Sequence, residues 1–439
     1  MGLALDNNVI IQGKTDLTYN KTYKQCIQKD NHELLIFGAD NFSQFPRRDA
    51  TVNSKCDRAL AIACKDDLVV LRTSLDHEYQ EWLHSHGLGS DHVVEYKAQS
   101  RKTTLSELIV NDPEPIKKII KKINKKPVYV PWFSGHMENE AAKALGADLF
   151  GASESATIKY NDKASFKNIC QQLDIPVVKG NSFELYPDEN ENYLQFEKSI
   201  NHYLSTSKIV IIRGTLGEAG MSLYKTRGND IATLYRQIAN SGEKVVIIEP
   251  FLNVNSSLND HWIIDREGNI NHLGIWQQIC ERGMVHVGNL KGEKISQNIL
   301  DYISKISVKI ATHMARSGYK GVAGIDYIVT DNGIFPIENN ARFNGSSYVS
   351  MIVDNIEKKL MSPIPYWKSI KVKTSACSFL ELTKRMEAIL YDGNKLNCVF
   401  PYNCNALPMS GDFAVVFLAG SMDHIINLEE SLKEIGIKR

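Results

Sequence analysis

Apolar and polar residues alternate most regularly between residues 324 and 345, in the run GIDYIVTDNGIFPIENNARFNG. Ile325, Tyr327 and Val329 share one face of a first run, and Phe335 and Ile337 alternate along a second. Asp331-Asn332-Gly333 supplies turn chemistry between them, so the stretch predicts a β-hairpin. In that register the acids Asp326 and Glu338 converge near one end of the pair, with Asn340 beside Glu338.

The first third of the chain alternates short apolar runs with helical periods. Strands are predicted over residues 32–39, 60–64, 67–72 and 127–133, and helices over 77–86, 114–125 and 138–145. Such alternation predicts a mostly parallel sheet with helices on its faces. From about residue 156 the pattern gives a helix over 162–173 and a strand opening at Asp174-Ile175-Pro176-Val177. Strands over 208–214 and 221–225 then flank a glycine loop, followed by a helix over 231–241 and a strand over 244–252. An amphipathic helix over 295–316 precedes the hairpin. After Pro363-Ile364-Pro365, strands over 376–382 and 412–419 and a helix over 428–435 predict a small α+β region.

Composition narrows the function classes. A chain of 439 residues is long enough for about two to four domains. Its 51 basic and 51 acidic residues cancel, so no global field points to nucleic acid or a membrane surface. The lysine-rich run 117–126 reads as a solvated helix face. No aromatic residues interleave with it as a nucleic-acid groove would require. No run reaches the ~20 apolar residues of a membrane span, and the first residues lack the pattern of a secretion signal. Eight scattered cysteines without a CxxC fit reduced thiols and a cytoplasmic setting. No GxGxxG follows the first strand, which argues against a dinucleotide site.

Facing acids across a hairpin repel, a cost that a cation between them removes. Two carboxylates and a carboxamide form a hard-oxygen set suited to Mg²⁺, which borrows further ligands from water and phosphate. Solvated carboxylates are the alternative. Arg342 adds a guanidinium able to grip an anion bidentately. Arg213 ends a strand ahead of Gly214, Gly217 and Gly220, with Ser222 behind them. Their N–H groups could cradle phosphate, or the segment could be a plain hairpin turn. Lys163 follows Asp162 at a helix start, where a surface lysine is the plainer reading. Glu249-Pro250-Phe251-Leu252 ends an apolar strand that could wall a base, or simply end in the core. Trp276, Gln277, Gln278, Glu281 and Arg282 fit an acceptor pocket or a buried strand with a polar loop.

Taken in order, these pieces resemble the ATP-grasp superfamily across residues 156–361. They are Asp162-Lys163, Asp174-Ile175-Pro176-Val177, Arg213 with Gly217 and Gly220, the segment from Glu249 to Leu252, and Asp326 followed by Glu338-Asn339-Asn340-Ala341-Arg342. The resemblance implies an α/β and α+β architecture. A parallel-sheet pre-ATP-grasp domain (1–155) would precede the ATP-grasp small lobe with its glycine loop (156–248). The large lobe with the Mg/ATP site (249–361) and a C-terminal α+β region (362–439) would follow.

It further implies ATP between the lobes, with Lys163 and Arg213 on its phosphates and Gly217, Gly220 and Ser222 closing over them. Glu249, Pro250, Phe251 and Leu252 would meet the base. Asp326, Glu338 and Asn340 would hold two Mg²⁺ ions, and Arg342 would bind the substrate carboxylate or acyl phosphate. The cation before the loop is Arg213 where the family usually has Lys, a change of geometry at constant charge. The acid that commonly binds the ribose after the hinge is not assignable by spacing. Ser256, Ser257 and Asn259 stand there instead.

Residues 272–290, with Leu273-Gly274-Ile275-Trp276-Gln277-Gln278 and Gly288-Asn289, resemble ligases of microbial peptide-like natural products. The pheganomycin-type peptide ligases and the butirosin-type acyl-carrier ligases are such groups. The implied reaction joins a carboxylate to an amine through an acyl phosphate, releasing ADP and phosphate. Amino acids, a peptide or a carrier-bound acyl group are the implied partners, without nucleic acid or membrane. Many relatives pair as dimers, which leaves a homodimer open. The same nucleotide fold also serves kinases, and a non-catalytic nucleotide-binding module is a third reading.

Overall fold

The computed structural model describes residues 21–40, 55–100, 102–187, 189–216, 222–281 and 285–439. They form three sheets. The first is parallel and five-stranded, in the order His92–Glu95, Leu68–Leu71, Glu33–Gly38, Lys126–Pro131, Asp148–Leu149. Its central strand is buried at every position, as a strand covered on both faces must be. Strand order reverses between Glu33–Gly38 and Lys126–Pro131. A crevice therefore opens beyond their C-terminal ends, the place where open α/β sheets bind ligands.

The second sheet has four antiparallel strands, Asn181–Glu184, Val245–Pro250, Val210–Gly214 and Leu223–Thr226. The third has eight. Its order is Gly333–Asn340, Gly321–Thr330, Ser256–Ile264, Ile270–Glu281, Val285–Lys291, Tyr366–Lys373, Asp412–Ala419, Cys398–Tyr402. The last three strands come from the C-terminal region, which thus continues the large sheet instead of building its own. The helix Gln297–Arg316 lays Ile303, Ile306, Ile310 and Met314 on this sheet at three- and four-residue spacing.

Most predicted elements are present within a residue or two; the helix expected over 428–435 begins six residues earlier, at Met422 behind a Ser421 cap, and three others differ in kind or place. Residues 60–64 lie in the helix Arg58–Ile62, because a short buried apolar run has no period that separates strand from helix. Residues 376–382 turn into the helix Phe379–Met386, started by a reciprocal capping box between Ser378 and Glu381. Asp174 takes a left-handed turn at φ 53°, and the strand expected from there begins at Asn181.

Packing divides the molecule differently from the sheets. The parallel sheet, the helix Gly345–Leu360 and the C-terminal strands share one core that includes Phe37, Trp132, Ile352 and Phe417. The four-stranded lobe has a core of its own around Phe196, Val210, Ile238 and Ile248.

The short helix Tyr23–Ile27 is fixed to the large sheet through His261, which is wholly buried between the Tyr23 hydroxyl and Ser346 Oγ. Burial pushes its imidazole down to about 3. The unfolded chain takes up that proton near pH 6.5, the folded one only near pH 3. The contribution of neutral His261 is therefore complete above pH 6.5 and is lost as pH falls below it, at up to ~1.4 kcal/mol per pH unit. Urea unfolding at pH 7 and pH 5 checks this. The unaltered protein should lose more stability on acidification than His261→Gln, and equal losses would refute the assignment.

Candidate functional site

The hairpin Gly321–Thr330 and Gly333–Asn340 closes through a two-residue turn at Asp331-Asn332. Ile325 and Tyr327 point into the core, which sends Asp326 to the opposite face of the sheet. Asp326 stands directly across from Glu338. Three amides hold its carboxylate. Asn259 Nδ2 donates to Oδ1, Gln278 Nε2 to the same oxygen at 3.1 Å, and Asn340 Nδ2 to Oδ2 at 3.2 Å. Lys163 Nζ lies 3.0 Å from Glu338 Oε2.

These neighbours set the charge states. Burial first, and then the Glu338 charge, hold the Asp326 carboxyl well above the usual carboxylate range. Burial also raises Glu338, but Lys163 and the contact with Asp326 outweigh it and bring Glu338 down to about 2. The two shifts run in opposite directions, as two close carboxyl groups require. A divalent cation relieves this crowding better than a proton does. Two acids and one carboxamide fit an ion that completes its shell from water and phosphate. Consistent with so sparse a set, no group of three or more His, Cys, Asp or Glu side chains arranged for a metal occurs among the described residues.

Lys163 is the first residue of the helix Lys163–Gln172, whose Asp162 cap accepts from Ser165 N at 2.7 Å. Its own N–H donates to Thr215 O at 2.9 Å, which joins the helix start to the root of the glycine loop. One turn further, Lys167 Nζ reaches Glu249 Oε1 at 2.6 Å. Arg213 grips the other oxygen of Glu249 through Nε at 3.0 Å and Nη2 at 2.9 Å, while Nη1 donates to Ile337 O at 3.0 Å. Glu249 is thus held from two sides in a buried cluster. The Phe251 N–H is taken by Ile209 O at 2.9 Å, and Lys225 Nζ sits 3.8 Å from the centre of the Phe251 ring.

A cleft of about 330 Å³ lies between the four-stranded and eight-stranded sheets. Lys163, Arg213, Ser222, Glu249, Pro250, Phe251, Leu252, Asp326 and Glu338 all line it. Asn340 joins it through Asp326. Ser256 and Ser257 also line the wall, and Ser257 Oγ donates to Gln278 Oε1 at 3.0 Å. Arg342 stands apart, with its guanidinium 4.7 Å from the centre of the Trp132 ring and Nη1 donating to Phe343 O at 3.2 Å. Gly217, Gly220 and Arg282 fall outside the described residues. Trp276 packs at 5.5 Å against Trp367 in the core and does not line the cleft, whereas Gln277 and Gln278 do.

A second cavity, about 530 Å³, occupies the crevice beyond the central parallel strands. Asp40, Trp132, Phe133, His136 and Glu138 line it, and Leu216 reaches it from the glycine-loop side. Trp132 therefore touches both this cavity and Arg342.

Sequence reasoning missed Lys167, and it named Asn259 and Gln278 for other places, the ribose and an acceptor pocket. Lys167 carried a signal, since it lies four residues after Lys163 on one helix face. Asn259 and Gln278 reach Asp326 only through pairing of strands distant in sequence.

The chain is similar to known proteins in one sequence segment and in fold. A family model described as "L-aspartate--L-methionine ligase, ATP grasp" matches residues 208–340, from the strand of Arg213 to Asn340. A search of curated proteins found no match. Among solved structures, the biotin carboxylase domain of Hydrogenobacter thermophilus 2-oxoglutarate carboxylase, in complex with MgADP, ADP and bicarbonate, superposes with a TM-score of 0.60 at 13% identity. That match covers 92% of this chain and 89% of the other. Campylobacter jejuni biotin carboxylase gives 0.59 at 16% identity, covering 93% and 92%. An ADP complex of N5-carboxyaminoimidazole ribonucleotide synthetase gives 0.55 at 14%, covering 92% and 95%. The fold is theirs, and the matched segment, under half of the chain, carries strands from both walls of the cleft, so the likeness is to the ATP-grasp fold.

Proposed function

We propose that this protein is an ATP-dependent carboxylate–amine ligase that forms an amide or peptide bond through an acyl phosphate and releases ADP and phosphate. One observation carries the reading. A single cleft presents a lysine-paired acid couple on one wall and the Glu249–Leu252 strand end on the other. ATP would lie with its base toward Phe251 and Leu252 and its phosphates toward Lys163. Arg213, bound to Glu249 and Ile337 O, would add positive charge to the phosphate side. Asp326, Glu338 and Asn340 are the residues that would hold Mg²⁺, which when bound neutralises charge on the transferring phosphoryl group.

Arg342, stacked on Trp132, would hold the acid. Its carboxylate oxygen attacks the γ-phosphorus, the bond to the β-phosphate bridging oxygen breaks, and ADP leaves. An amine nitrogen then attacks the acyl carbon, the carbon–oxygen bond to phosphate breaks, and the amine gives up its proton. The 530 Å³ cavity suits the amine. It lies at the switch point of the parallel sheet, has aromatic walls, and is rich in carboxylates that favour an ammonium group. Burial pushes Glu138 up to about 7, so it can take a proton near neutral pH.

Glu338→Ala should lose at least ~10²-fold in ATP-dependent turnover while the circular dichroism spectrum and unfolding midpoint stay close to the unaltered protein's. Retained activity would remove the acid pair from the chemistry. A pairwise screen of amino acids by ADP release, with mass spectrometry of the products, should find an amide alongside ADP and phosphate. AMP and pyrophosphate would indicate adenylation instead, and a stable phosphorylated product would indicate a kinase. Glu138→Gln should raise KM for the amine about tenfold and leave KM for ATP within twofold. Equal changes in both would place the amine elsewhere.

A further inference from the structure

Asp326 is not oriented by its own strand alone. A line of buried hydrogen bonds leads from it across the large sheet to the N-terminal helix. Asn259, directly beside Asp326 in the sheet, donates from Nδ2 to Asp326 Oδ1. Asn259 Oδ1 accepts from Ser346 Oγ at 3.2 Å and from Asn344 Nδ2 at 3.4 Å. Ser346 Oγ is 2.9 Å from His261 Nε2, and His261 Nδ1 faces the Tyr23 hydroxyl. Tyr23, Asn259, His261 and Ser346 are all buried. The path has room only because residue 324 is glycine. A Cβ there would stand 2.3 Å from Asn344 Nδ2 and 3.1 Å from Asn259 Nδ2.

The direction of each bond follows from donor and acceptor inventory. Asn344 Oδ1 accepts from the Ser347 backbone N–H at 2.9 Å, so the Ser346 hydroxyl, 2.8 Å away, donates to it. Ser346 Oγ is left to accept from His261, whose Nδ1 then accepts from the Tyr23 hydroxyl. That leaves the His261 proton on Nε2, where it donates to Ser346 Oγ. The single Ser346 proton then points away from His261, toward the carbonyl oxygens of Asn259 and Asn344. With its carbonyl oxygen so occupied, Asn259 must turn its NH₂ toward Asp326. A flipped Asn259 would set a carbonyl oxygen against a carboxylate oxygen and leave buried polar groups unpaired.

We propose that Tyr23, His261, Ser346 and Asn259 are positioning residues, a one-directional hydrogen-bond chain that fixes the Asp326 carboxylate for a divalent cation. The inference rests on reading Asp326 as a metal ligand and adds residues from three further elements to that site.

The test uses the full chain, with Mn²⁺ as the probe, followed by electron paramagnetic resonance in the presence of AMP-PNP. Asn259→Ala should weaken Mn²⁺ binding about 10–100-fold, the range for lost support of a metal ligand. Ser346→Ala should weaken it about fivefold or more, and Ser346→Thr, which keeps the hydroxyl, should restore it. Ser307→Ala is the structural control. It also deletes a buried hydroxyl, bonded at 2.7 Å to Tyr327 on the other face of the Asp326 strand, and should leave Mn²⁺ affinity within about twofold. Should Asn259→Ala fail to fold, Ser346→Ala and Tyr23→Phe carry the measurement. Binding within twofold of the unaltered protein in both Asn259→Ala and Ser346→Ala, or in both substitutes, overturns the chain and spares the metal reading. No Mn²⁺ binding by the unaltered protein overturns both.

Discussion

Two carboxyl groups placed opposite one another in a β-ladder, Asp326 buried and Glu338 a quarter exposed, repel each other, and the rest of the site is arranged around that repulsion. Lys163 answers Glu338, and the same residue's backbone binds the root of the glycine loop. Arg213 and Lys167 answer Glu249 on the facing wall, and Arg213 also reaches the carbonyl of Ile337, one residue before Glu338. The wall between the lobes thus sets Lys163, Lys167 and Arg213 against Glu249 and Glu338 in a confined, half-dry space, where cationic side chains act more strongly on a polyanion than they would in water.

The packing complements this electrostatic plan. The parallel sheet, the helix after the hairpin and the C-terminal strands share a single core, and the hairpin bearing the acid couple packs Ile325 and Tyr327 into a second one with the helix Gln297–Arg316, so two cores support the site. The four-stranded lobe is packed around separate residues and meets that support through polar links such as Lys163 N to Thr215 O and Asn255 N to Val329 O. Elements with independent cores joined by polar contacts can open at low cost in free energy, as a nucleotide cleft needs.

How much of this was legible in the sequence depended on distance along the chain. The hairpin was readable because a period of two and a turn lie within some twenty residues. Its register, set locally, put Asp326 opposite Glu338 as expected. The strand ends at Arg213 and Glu249 were also found, because each closes a strongly apolar run. What failed was either short or non-local. The run at 60–64 was too brief to show a helical period, and the helix at Phe379 was announced by Ser378 and Glu381, a capping signal outweighed by apolar neighbours. Asn259 and Gln278 could not be set beside Asp326 by spacing, since that place follows from pairing between strands tens of residues apart. Arg342, expected to bind the substrate carboxylate or the acyl phosphate, packs on Trp132, which lines the second cavity, a placement that no spacing along the chain announces.

The eight-stranded sheet is not complete until the strand Asp412–Ala419 has taken its place between Tyr366–Lys373 and Cys398–Tyr402. Until synthesis reaches that point, the strand Val285–Lys291 or its neighbour presents unpaired backbone donors and acceptors along an open margin. A nascent or prematurely terminated chain of this protein would carry an adhesive border, a state that invites chaperone capture or self-association.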